Sequence, residues 1–318
     1  MSPKTRTMIA PVSDAQEGRE EIGLSASQRR WLAGLIALTR WNEHVLFVAA
    51  TTLLGVQFAG AALDMRLPLV LVANWLAVTF AFMINDVEDA PDDALNPAKR
   101  TRNPVAAGIL SSFHGYTASW IVAAAAAILY SFLNVAAFRL GIACLVLGVL
   151  YSWRPVRLKR IPLIDLLSHS LLLAGLQLLC AHFAFAPGGD VGRWLPPFVF
   201  VTAISVYGQL FNEVRDLDFD RKACLTHTAA VCGRTIAQIL MVCALMAAGA
   251  AVVYAMLFDL VPCWALFLTV MLGGVLLGHL MFQIRRREAL TASGLHNPAL
   301  AIGVLAIVVW MAVDHVGG

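Results

Sequence analysis

A chain of 318 residues that is 59% hydrophobic and only 14% charged, with a mean hydropathy of +0.75, is not a water-soluble globule. Soluble domains carry about a quarter charged residues, so the composition points to an integral membrane protein. The net charge of +3 says little as a total, and no nucleic-acid partner is expected. Six cysteines (Cys144, Cys180, Cys224, Cys232, Cys243, Cys263) are scattered with no C-x-x-C pair, which excludes a zinc site or a disulfide frame and predicts small buried residues.

In chain order, the first 30 residues are polar, mixed in charge and without the apolar core of a signal peptide, and are expected to form a flexible cytosolic tail. Residues 31–318 are expected to form a single membrane-embedded domain. A bilayer-spanning helix needs about 20 apolar residues. Nine such runs lie near 43–63, 67–85, 115–133, 136–152, 162–185, 195–212, 235–257, 261–283 and 297–315. The predicted fold class is therefore all-α integral membrane, with nine transmembrane helices.

The second and sixth runs each end in an acidic stretch. Asn85–Asp93 reads N-D-V-E-D-A-P-D-D and Asn212–Asp220 reads N-E-V-R-D-L-D-F-D. Asn85 and Asn212, Val87 and Val214, Asp89 and Asp216, and Asp93 and Asp220 are each 127 residues apart, and the two stretches hold nine of the 20 acidic residues. The offset predicts two parallel four-helix repeats, about 40–155 and 160–283, plus an extra helix at about 297–315. Parallel copies turn both acidic stretches toward one cavity.

Charge sets the expected orientation. The tail and the loops after runs 2, 4, 6 and 8 hold 20 of the 23 Lys and Arg residues, leaving Arg66, Arg139 and Arg193 on the other side. By the positive-inside rule the N-terminus and both acidic stretches face the cytoplasm, with a bacterial plasma membrane as the expected location.

On a helix, Asp86, Asp89 and Asp93 fall at i, i+3, i+7, and Asn212, Asp216 and Asp220 at i, i+4, i+8, each set on one face. Glu88, Asp92 and Asp218 fall off that face and are expected to be solvated. Pro91 is expected to break or turn the helix before Asp93. One acidic cluster at a helix end is ordinarily a water-facing cap; two at matched spacing suit Mg²⁺, a hard cation held by carboxylates, waters and substrate phosphates. An EF-hand is excluded, since its glycine and terminal Glu are missing. Lys99, Arg100 and Arg102 follow the first stretch, Arg221 and Lys222 the second, and Arg154, Arg157, Lys159 and Arg160 the fourth run; such groups attract a diphosphate. Arg285, Arg286 and Arg287 read as ordinary positive-inside charge.

N-D-x-x-D-x-x-x-D followed by K-R-x-R-N-P-V-A-A-G, the second stretch N-E-V-R-D-L-D-F-D-R, and Tyr151-Ser152-Trp153-Arg154-Pro155-Val156-Arg157-Leu158-Lys159 with Pro162 and Asp165 beyond together resemble the UbiA superfamily of intramembrane prenyltransferases. The resemblance covers nearly all the chain beyond residue 30. It implies that Asp86, Asp89 and Asp93 hold one Mg²⁺ and Asp216 and Asp220 another, with Asp86, Asp89, Asp216 and Asp220 essential for catalysis. It implies that Asn85, Lys99, Arg102, Tyr151, Arg157, Asn212 and Lys222 bind the diphosphate of a prenyl donor. Phe80, Phe82, Tyr151, Tyr207 and Phe211 are candidates to steady an allylic cation. The implied acceptor is lipophilic, in the first place an aromatic quinone precursor, with tetrapyrrole or carotenoid acceptors as alternatives. No obligate protein partner is evident. The chain departs from the family at Arg221-Lys222-Ala223-Cys224-Leu225-Thr226, where the family often has a glycine, so the resemblance does not carry over the loop shape or the acceptor choice. Two rivals remain. A CDP-alcohol phosphotransferase would need a D-G-x-x-A-R pattern that is absent. A cation transporter with an acidic-lined path would place its carboxylates nearer mid-membrane.

Overall fold

The computed structural model describes residues 25–222, 225–285 and 292–316, except for the side chains at 98, 219–220, 222, 279–285, 292–296 and 315–316. Every regular element among them is helical. In chain order these are α1 (Ala26–Thr39), α2 (Trp41–Ala59), α3 (Arg66–Asp93), α4 (Pro97–Arg102), α5 (Ser112–Ser131), α6 (Val135–Ser152) and a 3₁₀ turn at Leu158–Arg160. There follow α7 (Ile164–Ser170), continuing through a π-helical turn at Leu171–Gly175 into α8 (Leu176–Phe185), then α9 (Val191–Lys222), α10 (Thr228–Cys232), α11 (Arg234–Leu257), α12 (Cys263–Arg285) and α13 (Ala292–Val316).

Among the described residues, seven helical segments are long and apolar enough to cross a membrane: α3, α5, α6, the α7–α8 unit, α9, α11 and Asn297–Asp314 of α13. The other two expected runs fall on α2, whose first turn holds Asn42-Glu43-His44, and on the shorter apolar stretch Cys263–Gly278 of α12. Large apolar side chains such as Trp120, Ile128, Val242, Met246, Phe267 and Val275 are exposed along α5, α11 and α12. So extensive an apolar exterior is tenable only against lipid. Cys144 and Cys180 are buried as expected, whereas Cys243 and Cys263 lie exposed on that exterior and Cys224 is outside the described residues. A small thiol is at home in either apolar setting.

α3 is the central helix of the first half, packed by α2, α5, α6 and α8, while α9 and α11 pair in the second half. Asn74, fully buried on α3, ties several helices together. Its Nδ2 donates to Thr52 Oγ1 on α2 (2.9 Å) and to the Gln177 carbonyl on α8 (3.0 Å), and its Oδ1 accepts from Tyr130 on α5 (2.8 Å). Such a polar group is tolerated in an apolar interior because its hydrogen bonds are satisfied. Beside it, α2 crosses α8 at Gly55, where a Cβ would collide with the Leu178 carbonyl. Backbones approach this closely only at the smallest residue.

Two expectations near the helix ends are corrected. α1 begins at Ala26, inside the stretch read as tail, because Ser25 and Gln28 form a capping box. α3 runs unbroken through Pro91 to Asp93. Proline there, in the last turns of a long helix, removes one ladder hydrogen bond, and the chain goes on turning with Ala94 N–H bonded to the Ala90 carbonyl (3.0 Å).

Candidate active site

The C-terminal turns of α3 carry the first acidic stretch. Asn85, Asp89 and Asp93 recur every four residues and are partly accessible, while Asp86 and Glu88 turn inward. Asp89 is gripped from the segment after α6: Arg157 Nη2 reaches its Oδ1 and Lys159 Nζ its Oδ2, both at 2.6 Å. Lys159 also donates to Asn85 Oδ1 (2.7 Å), which accepts from Ser152 Oγ as well (3.1 Å). Burial pulls the Lys159 ammonium below the usual lysine range, opposed by Asp89. Asp93 accepts from Asn103 Nδ2 (3.0 Å), the same amide that holds the Asp86 carbonyl (2.7 Å).

Asp86, 4% exposed, pairs with Arg40 Nη1 at the α1–α2 junction (3.0 Å), leaving its Oδ2 buried without a partner among the described residues. Arg40 is held in left-handed backbone conformation (φ 47°), and its guanidinium lies over the Phe82 ring. Arg157 is likewise left-handed (φ 45°), with a buried Nε that has no partner among the described residues. Two strained arginines converging on one acidic helix end are the kind of local cost that clusters at functional sites.

On α9, Glu213 is buried, whereas Asn212 and Asp216 are exposed and Asp216 pairs with its neighbour Arg215 (2.9 Å). Glu213 accepts from Gln209 (2.9 Å) and from the Ala229 N–H (3.0 Å), and contacts His227 Nδ1 (3.1 Å). Asp165 of α7 accepts from the Thr228 N–H (2.6 Å) and hydroxyl (2.5 Å). Asp165, Glu213 and His227 are close enough together to suit a metal ion. Their oxygens are instead spent on the first N–H groups of α10, so they serve as its cap.

The two acidic stretches end at the same end of the bundle. The segment after α6, bonded to Asp89, is also joined to the segment after α9: Thr226 Oγ1 donates to the Arg160 carbonyl and the Leu163 N–H to Thr228 Oγ1, both at 2.7 Å. Lys99, on α4, interacts electrostatically with Asp216 across the gap. Tyr151, deeply enclosed yet not sealed off, lies between the halves with its ring 6.2 Å from that of His169, whose Nδ1 contacts Ser205 of α9 (3.3 Å).

Arg102 is 57% exposed and bonds Glu43, because α4 directs it toward the α1–α2 junction. Other expectations are revised. Glu88 is not solvated. It is 6% exposed and accepts from Tyr116 on α5 (2.8 Å) and from the Arg154 N–H (3.2 Å). Asp92 is half-exposed and pairs with Arg154, Arg157 and Arg160, while Asp218 is exposed and pairs with Arg234. Phe80 is sealed in the core against Trp120 and Phe82 stacks on His44; Tyr207 stacks on Phe211 near the second stretch. The side chains of Asp220, Lys222 and Arg285, and all of Arg286 and Arg287, lie outside the described residues. Sequence reasoning did not assign Arg40, Ser152 or Asn103 to the site and counted Lys159 only as general basic charge. The run Arg157-Leu158-Lys159 was the one available signal, since two cations flanking an apolar residue on a short loop can share one target.

Comparison with known proteins fits this geometry. The model of the UbiA prenyltransferase family matches residues 45–297. A lycopene elongase/hydratase of Haloferax volcanii is 29% identical over 238 residues, 71% of this chain and 73% of that protein. Among solved structures, a UbiA homolog from Archaeoglobus fulgidus bound to DMAPP and Mg²⁺ superposes with a TM-score of 0.64 at 19% identity, covering 90% of this chain and 99% of the other. The apo structure of a UbiA homolog from Aeropyrum pernix K1 gives 0.67 at 18% identity, covering 86% and 98%. At these identities the solved structures share the fold.

Proposed function

The chain belongs to the UbiA prenyltransferase family, and on that premise we propose that it transfers a prenyl group from a prenyl diphosphate to a lipophilic acceptor, with Mg²⁺ as cofactor. The observation that carries this reading is the Asn85–Asp89 pair held by Lys159 and Arg157 at one end of an apolar bundle.

The residues present fit magnesium. Asn85, Asp89 and Asp93 offer only oxygen donors, and the buried, unpartnered Asp86 Oδ2 is an orphan that a cation would satisfy. In this reading Asp86, Asp89 and Asp93 hold one ion, and Asp216 and Asp220 the other. Bound magnesium supplies charge neutralisation for the departing diphosphate. Arg157 and Lys159 bind the diphosphate oxygens, the unspent Arg157 Nε included, and take up charge as the allylic C–O bond ionises. Asn85 and Ser152 orient Lys159 for that role. Tyr151 and Tyr207 present ring faces to the cation, and the apolar helices house the prenyl tail away from water. Asn212, Lys99 and Lys222 assist in binding the diphosphate.

The finer architecture belongs to the same reading. From α1 onward the chain forms one domain of nine spans, arranged as two parallel four-helix halves plus a last helix, with the site on the cytoplasmic side where the basic loops gather. The acceptor we favour is a carotenoid-type polyene, because the Haloferax volcanii relative is a lycopene elongase/hydratase. An aromatic quinone precursor or a tetrapyrrole rests on the family resemblance alone.

The test is release of diphosphate from a labelled prenyl diphosphate by protein in detergent, with and without Mg²⁺. Asp86→Ala, Asp89→Ala, Asp216→Ala and Asp220→Ala are each expected to abolish it without loss of folded protein. Near-normal turnover in all four would refute the assignment. Mass analysis of lipids from expressing cells, scored for prenylated polyenes against prenylated quinone precursors, decides the acceptor.

A further inference from the structure

The cationic segment between α6 and α7 has no regular structure of its own beyond one 3₁₀ turn, yet it delivers Arg157 and Lys159 to Asp89. Something must fix where it starts. α6 ends at Ser152, and two residues later the Arg154 N–H donates to Glu88 Oε2 (3.2 Å). The Arg154 side chain returns the contact, its Nε donating to the Glu88 carbonyl (3.0 Å) while its Nη2 reaches Asp92 (3.2 Å). The other Glu88 oxygen accepts from the Tyr116 hydroxyl of α5 (2.8 Å). Both carboxylate oxygens are thus engaged in a buried position, on a face of α3 turned about 100° from Asp89.

We propose that Glu88 is a positioning residue for diphosphate binding: through Tyr116 and Arg154 it clamps the start of the 153–163 segment onto α3, and so sets the reach of Arg157 and Lys159. The far end of the segment is fixed independently, by the Leu163–Thr228 and Arg160–Thr226 hydrogen bonds. With both ends anchored, the left-handed turn at Arg157 has one geometry to adopt. Releasing the Glu88 end gives the segment slack and withdraws a preorganised pair of cations, which is an entropic loss paid on every binding event. The carboxylate itself touches no substrate.

This inference rests on the diphosphate site proposed above. It is tested by two measurements on the full chain in detergent, one of which does not depend on that reading. The first is hydrogen exchange of the 153–157 amides, expected to be faster in Glu88→Ala than in the wild type. The second is Mg²⁺-dependent binding of dimethylallyl diphosphate, expected to weaken about tenfold in Glu88→Ala, the scale of one charge-assisted contact. Glu88→Gln is expected to restore both, since its amide oxygen can accept from the Arg154 N–H while its NH₂ donates to the Tyr116 oxygen. Unchanged exchange in Glu88→Ala overturns the clamp, and so does a Glu88→Gln variant that binds as weakly as Glu88→Ala, because charge rather than position would then be at work. Should Glu88→Ala not fold, Tyr116→Phe cuts one contact only; faster exchange with weaker binding supports the clamp, and no change in either overturns it. A wild type that fails to bind the diphosphate at all sinks the proposed function, and the exchange measurement still decides the clamp.

Discussion

Removing the Lys159 ammonium is the sharpest test of how the site grips a diphosphate. Lys159 is only 15% exposed, and its nitrogen sits between Asn85 Oδ1 at 2.7 Å and Asp89 Oδ2 at 2.6 Å. In a half-enclosed site, a hydrogen bond to a charged partner contributes about 1.5–3 kcal/mol. At 1.4 kcal/mol per factor of ten, that is roughly a 10- to 150-fold loss. Arg157 stays on the other Asp89 oxygen and keeps that carboxylate neutralised, so Lys159→Ala is expected toward the lower end, at about 10- to 30-fold in kcat/KM for the prenyl diphosphate. Lys159→Arg is expected to recover only part of the loss, since a planar fork does not fit between an amide and a carboxylate that a point charge bridges. The assay is Mg²⁺-dependent diphosphate release over a range of donor concentrations, with thermal unfolding as the control for folding. A folded Lys159→Ala enzyme within about threefold of the wild type would show that the observed contacts do not carry donor binding.

Arg102→Ala is expected to leave donor affinity within about threefold, because an exposed pair with Glu43 is worth at most about 1 kcal/mol; a large loss in a binding titration would return Arg102 to the diphosphate. Gly141→Ala is expected to destabilise the bundle by about 1–3 kcal/mol through overpacking. A Cβ at that position meets the ring of Tyr130, which is fully buried and bonded to Asn74, so the ring cannot swing aside without giving up that contact. A lowered midpoint of thermal unfolding in detergent checks it, and an unchanged midpoint would refute it.

Much of the fold was legible because lipid leaves so few options. A run such as 67–85 has no stable alternative to a helix, and the helices duly appear where apolar length demands them. The acidic stretches were legible for a related reason, since carboxylates beside such runs require a partner. What escaped was whatever depends on direction rather than on type. Glu88 and Asp92 look alike by spacing, yet one faces Tyr116 and the other faces water and three arginines. Arg102 and Arg157 are both cations near the motif, and only the path of the chain before each decides that one meets Glu43 and the other Asp89. Pro91 takes only one N–H from the ladder, and the contacts of Glu88, Asp89 and Asp93 on either side of it hold the last turns helical. The π-helical turn at Leu171–Gly175 left no trace in hydropathy, being one extra residue in an unbroken apolar run.

The crossing at Gly55 bears on attempts to re-tailor such an enzyme for bulkier molecules. There the first-half helix α2 rests its main chain directly on that of α8, and even a methyl group has no room. These two helices are already as close as main chains can come, so extra volume must be carved from side chains elsewhere. Trimming side chains away from this crossing is therefore the sensible starting point for redesign, and libraries that vary position 55 should return mostly unfolded protein.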